Sequence, residues 1–302
     1  MGLNKKGIFF TTLVILILTL FLISYTVYST VQERRTTQKR IETMNSFLFS
    51  LEQDLNRKMY ITGFRIIFLM DKHILETGSY ISDVEDVFQE AFFNATIEGI
   101  NDTELQTIMA ESTFEGISNF INERSSNINV NVVFENPEIS ISQDNPWYMK
   151  TNLTMDLSMQ DQSGLALWNK TASFIAEIPI EGFQDPTYIL VGGSGVAVNI
   201  TKTPYMQIDS SNIHNHASNP YYTNYSGAPN FLNRLEGDLS ATSECCGIES
   251  LVYTKVNNIP PDISVIDYEF FQNLNGIHPD NSPSWFYLSA NTEHCNVYGA
   301  VC

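Results

Sequence analysis

Apolar residues run without a single charge from position 8 to position 28, IFFTTLVILILTLFLISYTVY. At about 1.5 Å per helical residue such a run covers the roughly 30 Å hydrocarbon core of a bilayer. The pattern predicts a membrane-spanning helix behind a short basic leader, residues 1 to 7. No second run of that length and purity follows. The rest of the chain is therefore expected on one side of a cell membrane, with a single pass.

From Val31 the chain turns polar, yet no helix breaker precedes Gly63. Ile41, Met44, Leu48, Leu51 and Leu55 recur at spacings of three and four, so one apolar seam follows a helix that continues the span. Lys58 interrupts this seam after two heptads, too soon for a coiled coil. A stalk helix over 29–76 is predicted, packed on its own head or on neighbouring copies. MYITGFRIIFLM, residues 59 to 70, places the tip of the stalk inside the head. Its 12 residues and its central Arg65 argue against a second membrane segment. The TGS triplet at 77–79 ends the helix.

Two short helices are expected next. Ser82 with Glu85 forms a capping-box pattern ahead of Val84, Val87, Phe88, Ala91 and Phe92. Thr103 with Gln106 forms a second, ahead of apolar positions that continue towards Arg124. Beyond residue 127 the period drops to two. Trp147, Met149, Thr151, Leu153, Met155, Leu157 and Met159 alternate with polar residues. After the DQSG turn, Trp168, Ala172, Phe174, Ala176, Ile178 and Ile180 share one face, which predicts an antiparallel hairpin. INVNVVF and EISIS are candidate neighbouring strands. The chain from Phe183 to about Tyr225 reads as loop, APNFLNRLEG as a short helix, and ESLVYTKV and DISVIDYEFF as further strands. The class is α+β: a long membrane-plus-stalk helix, two short helices, then an antiparallel sheet with a loop-rich, cysteine-containing C-terminal part. The head domain spans 77–302.

Charge sharpens this picture. Residues 1–73 hold 10 Lys and Arg against 5 Asp and Glu, and residues 74–302 hold 6 against 29, so the net charges of +5 and −23 sum to −18. A body this acidic repels phosphate backbones, which argues against a nucleic-acid partner. It suits a face turned outward.

Cys245, Cys246, Cys295 and Cys302 all fall in the last 60 residues. This clustering fits disulfides in an oxidising compartment. Of the three pairings, one joins adjacent residues in a strained ring. Either of the other two closes loops of about 50 residues, stabilising by about 4 kcal/mol on the chain-entropy model. No C-x-x-C spacing supports zinc. His214 and His216, near Asp209, lack a third ligand at a telling spacing, so no metal site and no cofactor is assigned. GGSG at 192–195 fails as a nucleophile elbow, because Val196 replaces the required glycine, and fails as a phosphate loop. No catalytic residue is identified, and an enzyme is not expected. Six Asn-x-Ser/Thr sequons, at Asn94, Asn101, Asn152, Asn169, Asn199 and Asn224, are candidate glycosylation sites, although 28 asparagines give almost that number by chance.

The junction KKGIFF, in which Lys5, Lys6 and Gly7 meet an immediate apolar start at Ile8, resembles the class III signal peptide of archaeal type IV pilins and archaellins. The resemblance covers about the first 30 residues. It implies a prepilin-type peptidase as partner, cutting between Gly7 and Ile8 on the cytoplasmic face. Bacterial pilins carry a glutamate at the fifth mature position, where this chain has Thr12. An uncleaved signal anchor is the other reading of the junction. A long amphipathic helix on an antiparallel sheet is also the general plan of type IV pilins. The expected function is thus a membrane-anchored structural or adhesive cell-surface protein, a pilin-like subunit that assembles with copies of itself or with related subunits. A ligand-binding ectodomain or accessory receptor is the alternative, and a membrane-anchored enzyme ranks behind both.

Overall fold

A computed structural model of the chain describes residues 5–191, 199–219, 221–240, 246–250, 278, 280–282 and 292–299. Helix α1, Lys5–Thr77, runs unbroken for 73 residues. It stops where the seam and the TGS triplet place its end. Gly78 takes φ +71°, its N–H bonds to the Ile74 carbonyl at 2.9 Å, and Thr77 Oγ1 accepts from the Ser79 N–H at 3.2 Å. Glycine suits that left-handed position because it has no Cβ to clash.

The two halves of α1 have different surroundings. Its large apolar side chains from Phe9 to Val31 stand exposed, and this is the one helix among the described residues long and apolar enough to cross a membrane. Higher up, Met44, Leu51, Leu55, Met59, Ile66, Ile67, Met70 and Ile74 are buried. The seam therefore does not end at Lys58 but continues through the 59–70 segment. That segment buries only one face, since Tyr60, Ile61, Phe64 and Phe68 on its other side are exposed.

Helix α2, Val84–Asn94, starts one residue later than its Ser82 box suggests. The cap is Asp83, whose carboxylate accepts from the Asp86 N–H. Likewise Asp102, not Thr103, caps helix α3, Thr103–Met109. A carboxylate wins both positions because it is a stronger acceptor at the positive end of the helix dipole. The expected single helix to Arg124 is divided. Chain reversal at residues 110–113 starts α4, Phe114–Ser126, capped by Thr113 Oγ1. Three short helices thus replace the predicted two. Arg65 ties the first break to α1, donating to the Ile108 carbonyl at 3.0 Å and to Ser112 Oγ at 2.7 Å.

The sheet has strands β1 (Val130–Asn145), β2 (Tyr148–Asp161) and β3 (Leu167–Pro179), antiparallel, with β2 central. INVNVVF and EISIS belong to the same strand β1, joined through a register shift between Glu135 and Glu138. The period-two reading holds in β2 and β3. Met149, Thr151, Leu153, Met155, Leu157 and Met159 face inward opposite Ala172, Phe174, Ala176 and Ile178. Trp168 is half-buried at the open end of that face. Helix α1 lies across this apolar surface and shares one continuous core with it.

The stretch read as loop contains short elements. These are α5 (Pro186–Val191), β4 (Thr201–Lys202), α6 (Ile213–Ser218) and β5 (Tyr221–Asn224), followed by α7 (Phe231–Glu236) and β6 (Ile248–Ser250). Strand β5 joins β4 in parallel and β6 in antiparallel fashion to form a second, small sheet. Elements of two to six residues carry too few periods for a sequence pattern to register. The last described helix, α8, is Thr292–Val297. DISVIDYEFF and most of ESLVYTKV lie outside the described residues.

Candidate functional site

The lower part of α1 presents a long run of exposed apolar side chains, Phe9 to Val31. Lys5, Lys6, Gly7 and Ile8 lie in its first turns. Gly7 is exposed, and nothing stands within 4 Å of the position a Cβ would take. The peptide between Gly7 and Ile8 is helical here.

A second site sits where α1 meets the chain around α5. Phe64, Phe68, Asp71 and Leu75 of α1, with Gly182, Phe183 and Gln184 opposite, line a cleft of about 440 Å³. Phe64 stacks on Phe183 with ring centres 5.0 Å apart, and Phe183 continues to Phe231 at 5.9 Å. Asp71 is 7% exposed, and its Oδ1 has no hydrogen-bond partner. Burial, reinforced by the nearby Asp185 carboxylate, pushes the Asp71 carboxyl well above its ordinary value. Withdrawal from water disfavours the charged form of a carboxyl, and a backbone hydrogen bond from Gln184 opposes the shift only in part.

Behind this cleft lies an ionic cluster sealed from solvent. Arg234 Nη1 donates to Asp185 Oδ2 at 2.7 Å, with both side chains fully buried. Tyr222 Oη donates to the same oxygen at 2.8 Å, and the Thr187 N–H donates to Oδ1 at 3.0 Å. Arg234 Nη2 also donates to the Ile248 carbonyl, and Tyr188 Oη donates to the Ser250 carbonyl at 3.1 Å. Burial beside Asp185 raises the Tyr222 phenol well above its ordinary value, so it stays a donor. The cluster joins α5, α7, β5 and β6, and so fixes the rear wall of the cleft. Sequence reasoning missed it. The available signal was Asp71 itself, an acid at core spacing four residues after Ile67 on an otherwise apolar helix face.

The histidines singled out by spacing do not converge. His214 is exposed, whereas His216 is buried, with Nδ1 at 3.2 Å from Thr203 Oγ1 and its ring 5.8 Å from that of Tyr298. Burial lowers the His216 pKa to about 4, despite the opposing influence of Glu249. Among the described residues no group of three or more metal-ligating side chains comes together. GGSG at 192–195 lies outside the described residues.

Cys246 and Cys295 are each disulfide-bonded, and the described residues contain no free cysteine. Cys245 and Cys302 lie outside the described residues. Of the sequon asparagines, Asn94, Asn101, Asn169, Asn199 and Asn224 are exposed. Asn152 is half-buried on the central strand, its Oδ1 accepting from Ser173 Oγ at 2.6 Å. No family model matches the chain, and neither a curated protein nor a solved structure does.

Proposed function

We propose that this chain is a membrane-anchored, non-catalytic surface subunit of the type IV pilin kind, with its acidic head outside the cell membrane and its leader removed between Gly7 and Ile8 by a prepilin-type peptidase. One observation supports the reading: a single helix of 73 residues whose lower large apolar side chains stand exposed, while its upper half forms one wall of a folded head. At about 1.5 Å per residue this helix is roughly 110 Å long. Twenty or so uncovered apolar residues need either lipid or other copies of themselves around them. A subunit that leaves the bilayer to pack along a filament axis meets both conditions with one surface. The oxidised Cys246 and Cys295, together with the exposed sequons, suit an extracytoplasmic head.

N-terminal sequencing of membrane-purified protein tests the proposal. A mature start at Ile8 is expected, and Gly7→Trp is expected to abolish the cut while leaving insertion intact, because the apolar run is unchanged. A start at Met1 or Gly2 in the unmutated chain overturns pilin-type processing. The second reading, a ligand-binding ectodomain, is favoured by the cleft with its unpartnered Asp71 oxygen. A ligand presenting a hydrogen-bond donor to that oxygen would satisfy it.

A further inference from the structure

The turn between β2 and β3 points at the foot of the head, not away from it. Leu165 lines the same shallow depression as Tyr25, Tyr28, Ser29 and Gln32 of α1. Tyr28 ends the apolar run, and Tyr and Trp at such an end sit at the headgroup level of a bilayer. Leu165 and Leu167 are 48% and 57% exposed. Leu165 is therefore held beside the stretch of α1, Tyr25 to Thr37, over which the chain leaves the apolar run, and Leu167 follows two residues later on β3.

The tip is rigid. The Asp161 carboxylate accepts from the Ser163 N–H at 3.0 Å, from Ser163 Oγ and, more loosely, from the Leu165 N–H at 3.4 Å. Gly164 closes the turn at φ +71°, its N–H bonded to the Asp161 carbonyl at 2.8 Å. Arg40 then clamps the tip to α1. Its Nε donates to Asp161 Oδ1, and its Nη2 donates to the Asn129 carbonyl at 2.8 Å. Charge agrees with the geometry. Residues 29–40 carry Arg34, Arg35, Lys39 and Arg40 against the single acid Glu33, a net +3, below a head of strongly negative charge. Arg34 and Arg35 are exposed and stand about 9 to 10 Å beyond Tyr28 along the helix axis. That is within side-chain reach of headgroup phosphates.

We infer that the head rests on the membrane it is anchored in, with Leu165 inserted at the acyl-headgroup boundary of the lipid bilayer and Arg34, Arg35 and Lys39 facing anionic headgroups. This inference rests on residues 8–28 spanning the bilayer. The occupant is the lipid surface, because the apolar tip is continuous with the span itself and the flanking charges are of the sign that lipid phosphates attract. Such seating would fix the direction of the head relative to the membrane. The helix between Val31 and Met44, which Arg40 already ties to the tip, would not be free to act as a hinge.

The test uses the full chain in lipid nanodiscs at one chain per disc, with Leu and Val methyl groups labelled for NMR and a nitroxide carried by the lipid near the acyl carbonyls. The Leu165 methyl signals are expected to lose as much intensity as those of Val27. Leu105, buried on α3 near the top of α1, is expected to lose none. Replacing the anionic lipid by zwitterionic lipid should weaken the loss at Leu165 while leaving Val27 unchanged. If Val27 broadens and Leu165 does not, the seating is overturned and the span stands. If neither broadens, the span itself is overturned. Broadening of Leu165 that occurs only when several chains share a disc assigns the tip to a second copy and rejects the lipid as its occupant.

Discussion

A methyl group placed on Gly63 would stand 2.3 Å from Cδ1 of Ile178, and 2.9 Å from Cγ2 of Thr151. At Gly63 the backbone of α1 thus comes close to the sheet. Glycine in a helix interior costs about 1 kcal/mol relative to alanine. Here the missing side chain lets the helix backbone lie directly on β2 and β3. The helix then keeps a continuous seam from Met44 to Ile74 against one flat apolar face.

Gly63→Leu is accordingly expected to lower stability by roughly 2–3 kcal/mol, because the added side chain must displace a fully buried isoleucine in a close-packed core. Gly63→Ala should be milder, its overpacking partly offset by better helix propensity. Thermal unfolding of the detergent-solubilised chain would show the graded series. An unchanged midpoint for Gly63→Leu would mean that α1 does not lie on the sheet at this level.

The Asp185–Arg234 pair makes a different kind of prediction. Arg234→Met leaves a fully buried carboxylate with only Tyr222 and Thr187 as donors, an expected loss of about 3–5 kcal/mol. The double variant Asp185→Leu with Arg234→Met should recover part of this, since no uncompensated charge remains. Recovery should be incomplete. Tyr222 Oη, the Thr187 N–H and the Ile248 carbonyl would all lose their partners. Chemical denaturation of the single and double variants measures the coupling, and equal losses in the two would show that the charges do not act as a pair.

Asp71 links the cleft to pH. Its folded-state pKa is raised, by burial first and by Asp185 second. The folded state therefore binds this proton more tightly than the unfolded state does. The resulting stability is complete below the unfolded value, near 3.8, and is lost as pH rises through the folded value. Each unit of upward displacement amounts to about 1.4 kcal/mol once the pH exceeds both values. Asp71→Asn carries no proton to lose, so its stability relative to the unmutated chain should grow as pH rises from about 4. A difference between the two proteins that stays flat with pH would show that the carboxyl is solvated after all.

How much of this was legible in the sequence depends on element length. The seam at Met44, Leu51 and Leu55 and the alternation from Met149 to Met159 each repeat many times, and each identifies its element and its buried face. The cap positions at Asp83 and Asp102 were missed by one residue because serine or threonine and aspartate stand side by side, and only the folded turn decides which oxygen meets the free N–H. The Arg234 cluster left only an indirect trace in the sequence, Asp71 on the apolar face of α1. Its members Asp185, Tyr222 and Arg234 are tens of residues apart and meet through short elements with no period of their own. The same holds for Leu165, whose importance lies in its nearness to Tyr28 across more than a hundred residues.

Tyr298 is buried against His216 with ring centres 5.8 Å apart, and its Oη donates to Glu249 Oε1 at 3.2 Å. Residues 292–299 therefore lie against β6 and α6, with Cys295 three positions before Tyr298 and Cys246 three positions before Glu249. Both cysteines are oxidised. Bridges that join Cys245 and Cys246 to Cys295 and Cys302 follow naturally from this placement, because the two segments already meet through Glu249 and Tyr298. A non-reduced digest analysed by mass spectrometry should yield a peptide linking the 245–246 pair to the tail, and a link between Cys245 and Cys246 alone would refute the arrangement. Reduction should then release the tail, since the contacts of Tyr298 with Glu249 and His216 would no longer be held by a covalent tie. The expected cost is about 2–4 kcal/mol. Hydrogen exchange would report it as faster exchange in residues 213–218 and 248–250, with the β1–β3 sheet unaffected.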